Sequence, residues 1–240
     1  MRLLLTRPEP DAERTAAALR ARGHTIILAP LLRIEAIEDA PLGAGPWAAV
    51  AVTSANAARA IKTHPRFELL RPLKVFAVGD RSAQEMRDAG FGDVTSAGGE
   101  VSDLTRLIGR RLRPGAPLLY LAGEDRTGEL SENLAELGFT VQTLVIYRAV
   151  IAAALPKAAI EALSVGIDGI LHFSSRSAQA YIDLAGQAVG LVNALKPIQF
   201  CLSAAIAEPL ARAGAATIRV AASPTETGFL ALVGSQSAPQ

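Results

Sequence analysis

The chain has 240 residues and a net charge of +1 (24 Lys plus Arg against 23 Asp plus Glu), and half of it is apolar. Such an apolar fraction excludes a disordered chain. One Cys excludes a disulfide framework and a Cys-rich zinc site, and a near-zero charge argues against holding nucleic acid by bulk charge. The length allows one large domain or two of about 120 residues each, and abundant Ala, Leu, Val and Gly with few aromatics fit α/β layers.

The opening residues, MRLLLTRPEPD, hold too few apolar positions for an export signal. No run reaches the roughly 18 uncharged apolar residues of a membrane helix. A cytoplasmic address with no membrane partner is the expectation. The first strand is expected over 3–6. Asp11 then caps a helix with Ala12, Ala16 and Leu19 on one face, stopped by Gly23, and 25–29 is the next strand. An apolar strand follows over 48–53, and Ser54-Ala55-Asn56 opens a helix. Residues 74–78 form a strand turning at Gly79, and Ser82 to Glu85 has capping-box spacing for a helix that Gly90 ends. Strand 94–97 precedes an amphipathic helix through Val101, Leu104, Leu107, Ile108 and Leu112. Next come a strand over 118–121, a helix from about 127 to 137, and an unusually long β-rich run over 140–150. Further strands are expected over 167–173, 198–202 and 217–220, and 234–240 reads as a flexible tail. Continuous apolar strands joined by helices imply parallel sheets covered on both faces.

The two halves of the chain resemble each other. Phe76–Gly79 through Gly90 lines up with Phe200–Ser203 through Gly214 at an offset of 124, and Val52–Ala57 lines up with Phe173–Ala178 at 121. Leu19 with Gly23–Ile26 matches Leu134 with Gly138–Val141 at 115. Ordered matches with slowly drifting offsets point to a duplicated unit of about 120 residues. Two such α/β domains side by side would create a cleft, and ligands of open α/β sheets bind at the carboxyl ends of the strands.

The turns after the strands are rich in small and hydroxylated residues. They carry Arg7, Thr53, Ser54, Asn56, Gly79, Arg81, Ser82, Gly123, Glu124, Arg126, Ser174, Ser175, Ser177, Ser203, Pro224 and Thr225. Most of these turns open a helix, where free N–H groups and the dipole favour anions; each Ser, Thr or Asn taken singly reads first as an N-cap, and the collection is worth more than its members. A ring of such turns suits a ligand with several carboxylates, and Arg7, Arg81, Arg126, Arg148 and Arg176 are candidate carboxylate partners. No G-x-G-x-x-G, Walker A or G-x-S-x-G pattern occurs. His24 and His64 read as surface residues, and His172 as a polar strand residue or a site residue. Cys201 reads as an inert core thiol. Few acid–base groups and many hydrogen-bond donors fit chemistry in which the substrate supplies reactivity and the protein fixes its shape.

With these features the chain resembles the uroporphyrinogen-III synthase family. The matching pieces are Leu5-Thr6-Arg7-Pro8, Pro30 before Leu31–Ile34, Val52–Ala57, and Ala77–Ala83. The second half adds Gly123-Glu124, Gly138–Val141, Val145-Ile146-Tyr147-Arg148, Phe173-Ser174-Ser175 and Ser223-Pro224-Thr225. There are departures: Leu202–Ala205 stands where the family usually has Gly-Pro and a nearby Thr, and Ala122 stands where an Arg commonly precedes the Gly-Glu pair.

The resemblance implies two similar flavodoxin- or Rossmann-like parallel-sheet domains joined by a two-stranded antiparallel connector. Residues 1–34 with 152–240 would form one domain and 40–140 the other, with 27–37 and 140–150 as connector strands. It implies a cofactor-free, metal-free lyase, a monomer, that cyclises hydroxymethylbilane, a linear tetrapyrrole with eight carboxylates, with inversion of ring D and loss of water. Tyr147 matches the family's connector-region Tyr and would assist the departing hydroxyl; a strand-packing Tyr is the plain alternative. Hydroxymethylbilane synthase would hand over the substrate, and the strand-end residues with Arg148 would bind it. Two rivals remain: a two-lobed sensor for small anions without catalysis, and a nucleotide-sugar transferase.

Overall fold

The computed structural model describes residues 1–126 and 128–234. Short runs rich in Leu, Val and Ile form strands, and alanine-rich segments between them form helices, most of them closed by glycine in the left-handed region. The chain begins with β1 (Arg2–Leu5), α1 (Asp11–Arg20), β2 (Thr25–Leu28), β3 (Leu32–Ala36), β4 (Ala49–Val52) and α2 (Ala55–Ile61). It continues with α3 (Phe67–Leu70), β5 (Lys74–Ala77), α4 (Asp80–Asp88), β6 (Val94–Ser96), α5 (Val101–Arg111), β7 (Pro117–Gly123) and α6 (Glu129–Glu136). Then come β8 (Thr140–Ile151), α7 (Lys157–Val165), β9 (Gly169–His172), α8 (Ser175–Val189) and α9 (Leu191–Leu195). The last elements are β10 (Ile198–Cys201), α10 (Ala204–Arg212), β11 (Ile218–Val220) and α11 (Glu226–Gly234).

The chain divides into two compact units. The first is Met1–Arg33 with Val150–Gln240, and the second is Ile34–Ala149. The first unit holds a five-stranded sheet in the order β11-β10-β9-β1-β2, every neighbouring pair parallel. The period of two sends Leu4, Ile170 and Cys201 to one face, against Tyr181, Ala185 and Leu210. It sends Leu3, Leu5, Leu171 and Phe200 to the other, against Leu19 and Phe229. A Cβ on Gly169 would stand 2.5 Å from Cε2 of Phe200, so only glycine lets that ring lie across β9.

The second unit holds a six-stranded sheet in the order β3-β8-β7-β4-β5-β6. From β8 to β6 the neighbours are parallel. The Ile37 N–H donates to the Ile146 carbonyl at 2.8 Å and the Ala152 N–H to that of Leu31 at 2.9 Å, so β3 runs opposite to β8. Val50, Val52, Leu119 and Leu121 pack against Ile61 and Met86 on one face; Ala49, Ala51, Phe76 and Tyr120 pack against Leu104 and Leu134 on the other.

The two sheets share one order. Reading β2-β1-β9-β10-β11 beside β8-β7-β4-β5-β6 puts β1–α1–β2 where β7–α6–β8 stands. The order reverses between β1 and β9 in one sheet and between β7 and β4 in the other. Such reversals leave a crevice beyond the carboxyl ends of the strands.

Several local expectations change. The run 27–37 is not one strand: it divides into β2 and β3, with Pro30, which has no N–H for a ladder, in the break. Around it, Ala29 N–H donates to Leu5 and Leu31 N–H to Thr6. Asp11 is the first helical residue behind Pro10 and does not cap α1. The capping box at Ser82 does not form, because α4 already starts at Asp80 behind Gly79, and Ser82 is buried in its first turn. Gly234 closes α11 and is not part of a tail; 235–240 and the expected helix start at 127 lie outside the described residues. Helix α3 carried no sequence signal of its own. His24 and His64 are buried, not exposed. The His64 ring accepts the Arg66 N–H at Nδ1 (3.1 Å), which leaves Nε2–H to donate to the Ala40 carbonyl at 2.9 Å. Among the described residues no helix is long and apolar enough to cross a membrane.

Candidate active site

In the second unit, the crevice position lies at the ends of β4 and β7. Strand β4 runs into Thr53-Ser54, and the Ser54 Oγ accepts the Asn56 N–H at 3.2 Å, which caps α2. Strand β7 ends at Gly123, and the Glu124 N–H donates to the Tyr147 carbonyl of β8 at 2.9 Å. The Tyr147 side chain lies directly over Gly123. A Cβ there would stand 2.6 Å from the ring Cζ and 2.8 Å from the phenol oxygen, so the missing side chain of Gly123 makes the seat for the phenol.

Ser54 and the Tyr120 phenol both lie near enough to the Tyr147 hydroxyl to act on its proton. Tyr120 in turn shares a 2.8 Å hydrogen bond with Thr53 Oγ1. Burial raises the pKa of Tyr147 above the ordinary tyrosine value, Ser54 lowers it, and the Tyr120 hydroxyl raises it. With burial the largest influence, the phenol keeps its proton through neutral pH. Because the Ser54 oxygen already accepts the Asn56 amide, its hydroxyl proton is free to point at Tyr147. The phenol O–H can then donate onward.

Charged groups flank this cluster on α2 and α4. The Arg59 guanidinium donates to Asn56 Oδ1 at 2.9 Å and to Glu85 at 2.7 Å, and Arg81 reaches the same Glu85 oxygen at 3.4 Å. Asn56 is thereby held by its carbonyl oxygen, leaving its NH2 to donate elsewhere. Arg126 turns back onto the carbonyls of Gly123 and Glu124, at 3.3 Å each, and Arg148 pairs with Glu35 of β3.

In the first unit, Arg7 follows β1 and Phe173 follows β9. The guanidinium lies 4.7 Å from the centre of the Phe173 ring. Arg7 also binds Thr15 at 3.0 Å and Asp11 at 3.3 Å, with Glu226 of α11 at 3.7 Å, so its charge is already offset. Ser174 caps α8 through the Ser177 N–H at 3.1 Å, and Ser175 donates to the Ala205 carbonyl at 3.0 Å. Ser203 stands before α10 without making a side-chain cap, and Thr225, after Pro224, accepts the Gly228 N–H at 3.1 Å.

Ser82 is buried in the first turn of α4, and the Ser177 hydroxyl, also buried, donates to the Ser174 carbonyl at 3.0 Å. His172 is a buried core residue and not a site residue. Its Nε2–H donates to Gln199 Oε1 at 2.9 Å, with the orientation fixed because the Gln199 amide donates to Pro197. The Cys201 thiol is pushed up to about 12 by burial and is unreactive. Tyr120 and Arg59 were not singled out from the sequence, and Glu85 only as the partner of Ser82 in a capping box. Tyr120 sits in an apolar strand with no mark of function, whereas Arg59, three residues after Asn56 on a helix, had a readable spacing. Among the described residues no group of three or more His, Cys, Asp or Glu is placed to hold a metal ion.

Residues 13–231 match the model of the family described as uroporphyrinogen-III synthase HemD. The chain belongs to the uroporphyrinogen-III synthase family. Solved structures of two such synthases share the fold. The uroporphyrinogen-III synthetase of Helicobacter pylori is 18% identical with a TM-score of 0.67, covering 98% of this chain and 99% of its own. A mutant uroporphyrinogen III synthase from the extremely thermophilic bacterium Thermus thermophilus is 17% identical with a TM-score of 0.54, covering 99% and 100%. No curated protein sequence matches the chain.

Proposed function

We propose that the chain is a uroporphyrinogen-III synthase, a hydro-lyase that cyclises hydroxymethylbilane with inversion of ring D. The observation that carries this reading, beside the family match over 13–231, is the Tyr147 phenol seated on Gly123 with Ser54 near its hydroxyl. The substrate's terminal hydroxyl is a poor leaving group until it receives a proton. Ser54 donates to the Tyr147 oxygen, and the phenol O–H donates to the departing hydroxyl. Water leaves with the electrons of the broken C–O bond, and the ring A pyrrole nitrogen supplies the electrons that form the azafulvene.

Ring D then attacks through its substituted carbon, giving a spiro intermediate. Fragmentation and reclosure at the other position invert the ring, and loss of the proton from the newly bonded ring D carbon restores the pyrrole and returns a proton to the Tyr147 phenolate. Closure without the protein yields the uninverted type I isomer, so holding the chain ends in the spiro-forming arrangement is the main catalytic task. A protonated phenol of raised pKa is a weak acid, which suits a leaving group already pushed by the pyrrole.

Arg7, Thr53, Asn56, Gly79, Arg81, Glu124, Arg126, Arg148, Ser174, Ser175, Ser203, Pro224 and Thr225 are the proposed substrate-binding residues. Of these, Asn56 is best prepared, because Arg59 fixes its amide as a donor. Strands β3 and β8 are the proposed two-stranded connector. The proposal includes a monomeric, cytoplasmic enzyme that needs no cofactor and receives its substrate from hydroxymethylbilane synthase. A sensor without catalysis would have no use for a phenol held by a serine over a glycine seat. The test is to supply hydroxymethylbilane to the purified protein and separate the uroporphyrinogen isomers by chromatography. Type III is expected; type I alone, at the rate seen without protein, overturns the reading.

A further inference from the structure

Tyr120 is almost fully buried on β7, at 5% exposure, with its ring among Phe76, Leu104 and the other residues of that face. Phenylalanine would fill that space equally well, so the hydroxyl calls for an account. In the parallel register Tyr120 stands opposite Ala51, and its side chain runs on along the sheet to reach Thr53, two residues further. Its hydroxyl and the Thr53 Oγ1 meet at 2.8 Å.

The next residue is Ser54, whose oxygen takes the Asn56 N–H and whose hydroxyl meets Tyr147. The turn after β4 is therefore held by tyrosines from two neighbouring strands: Tyr120 of β7 grips Thr53, and Tyr147 of β8 meets Ser54. We infer that Tyr120 is a positioning residue for the proposed reaction: its bond to Thr53 orients the Thr53-Ser54 turn so that Ser54 donates to the Tyr147 phenol. Tyr120 is too buried to touch substrate and acts only through that turn. With the hydroxyl removed, Thr53 is free to change rotamer, and Ser54 can keep its cap on Asn56 while turning its proton from Tyr147.

The inference rests on the synthase reading, and the experiment separates the two. Type III formation is measured for the wild type, Tyr120→Phe, Tyr147→Phe and the double variant, with thermal melting of each. Loss of one orienting hydrogen bond predicts a kcat about fivefold lower in Tyr120→Phe, with KM within about twofold. In the Tyr147→Phe background the same substitution is expected to cost nothing further, because there is no phenol left to position.

Equal losses in both backgrounds would mean a merely structural role and would overturn the inference, as would a folded Tyr120→Phe with wild-type kcat. Should Tyr120→Phe fail to fold, Thr53→Val removes the same bond from its other end, and its kcat at saturating substrate, which a lost binding contact does not move, is read against Tyr147→Phe in the same way. A wild type that forms no type III at all overturns the synthase reading, and this inference with it.

Discussion

At the scale of single residues, Gly123 and His172 show how a structural and a chemical demand differ. Gly123 is required by its neighbour: an added Cβ would meet the far end of the Tyr147 side chain, 2.6 Å from Cζ, and not backbone. The ring can swing aside at little cost to the fold but not without leaving Ser54. Gly123→Ala should therefore melt within a few degrees of the wild type and lose roughly tenfold or more in kcat; a wild-type kcat would show that the seat does not matter. The sequence offered Gly123 as a small turn residue and as half of the family's Gly-Glu pair but gave no reason for it, because the need for it comes from β8, further along the chain.

His172 was open between core and site, and its neighbours decide it. Burial lowers its pKa to about 4, against the upward pull of the Gln199 bond, and its Nδ1 has no hydrogen-bond partner. The unfolded histidine takes up a proton near pH 6.5, while the folded one resists until about pH 4. The unfolded state thus binds more protons in this window. Stability is full above pH 6.5 and falls on acidification, by ~2 kcal/mol between pH 6.5 and 5 from this residue. Urea unfolding at both pH values should show that slope in the wild type. His172→Phe, although less stable throughout, should lose that share of it. Equal slopes would contradict a neutral buried imidazole.

At the scale of elements, hydroxyl caps are told apart only by geometry. Ser174 and Ser203 stand at like places after β9 and β10, and their sequences give no reason to separate them. Ser174 accepts the Ser177 N–H, while Ser203 makes no side-chain cap on α10. Ser174→Ala should cost about 1 kcal/mol by urea unfolding, and Ser203→Ala less than about 0.5. Equal costs would contradict the assignment.

The strands were the most legible elements, because apolar runs of four to seven residues bounded by glycine or small polar residues have few other readings. Helix starts were not. The spacing of Ser82 and Glu85 fitted a capping box, yet Gly79 turns the chain early, and Glu85 is used by Arg59 and Arg81. His64, before a proline, looked exposed because nothing local shows that the Ala40 carbonyl comes to lie against it.

At the scale of the whole molecule, the α/β class with parallel sheets was written in the alternation of apolar runs and helical segments. The shared strand order of the two sheets gives physical form to offsets near 120 residues in the sequence. The site is harder to read because its parts come from separate strands. Thr53 and Ser54 follow β4, Tyr120 and Gly123 lie on β7, and Tyr147 lies on β8. No local motif joins them; sheet order does. Tyr147 was found through resemblance, whereas Tyr120 needed the structure.

The central claim is that Tyr147, held by this cluster, assists loss of the substrate hydroxyl. The most direct measurement is the rate of type III formation by Tyr147→Phe at saturating hydroxymethylbilane. The expected result is a fall of about tenfold to a hundredfold, toward the low end for general acid catalysis, with type III still the product. An unaltered rate in the folded variant would contradict the account.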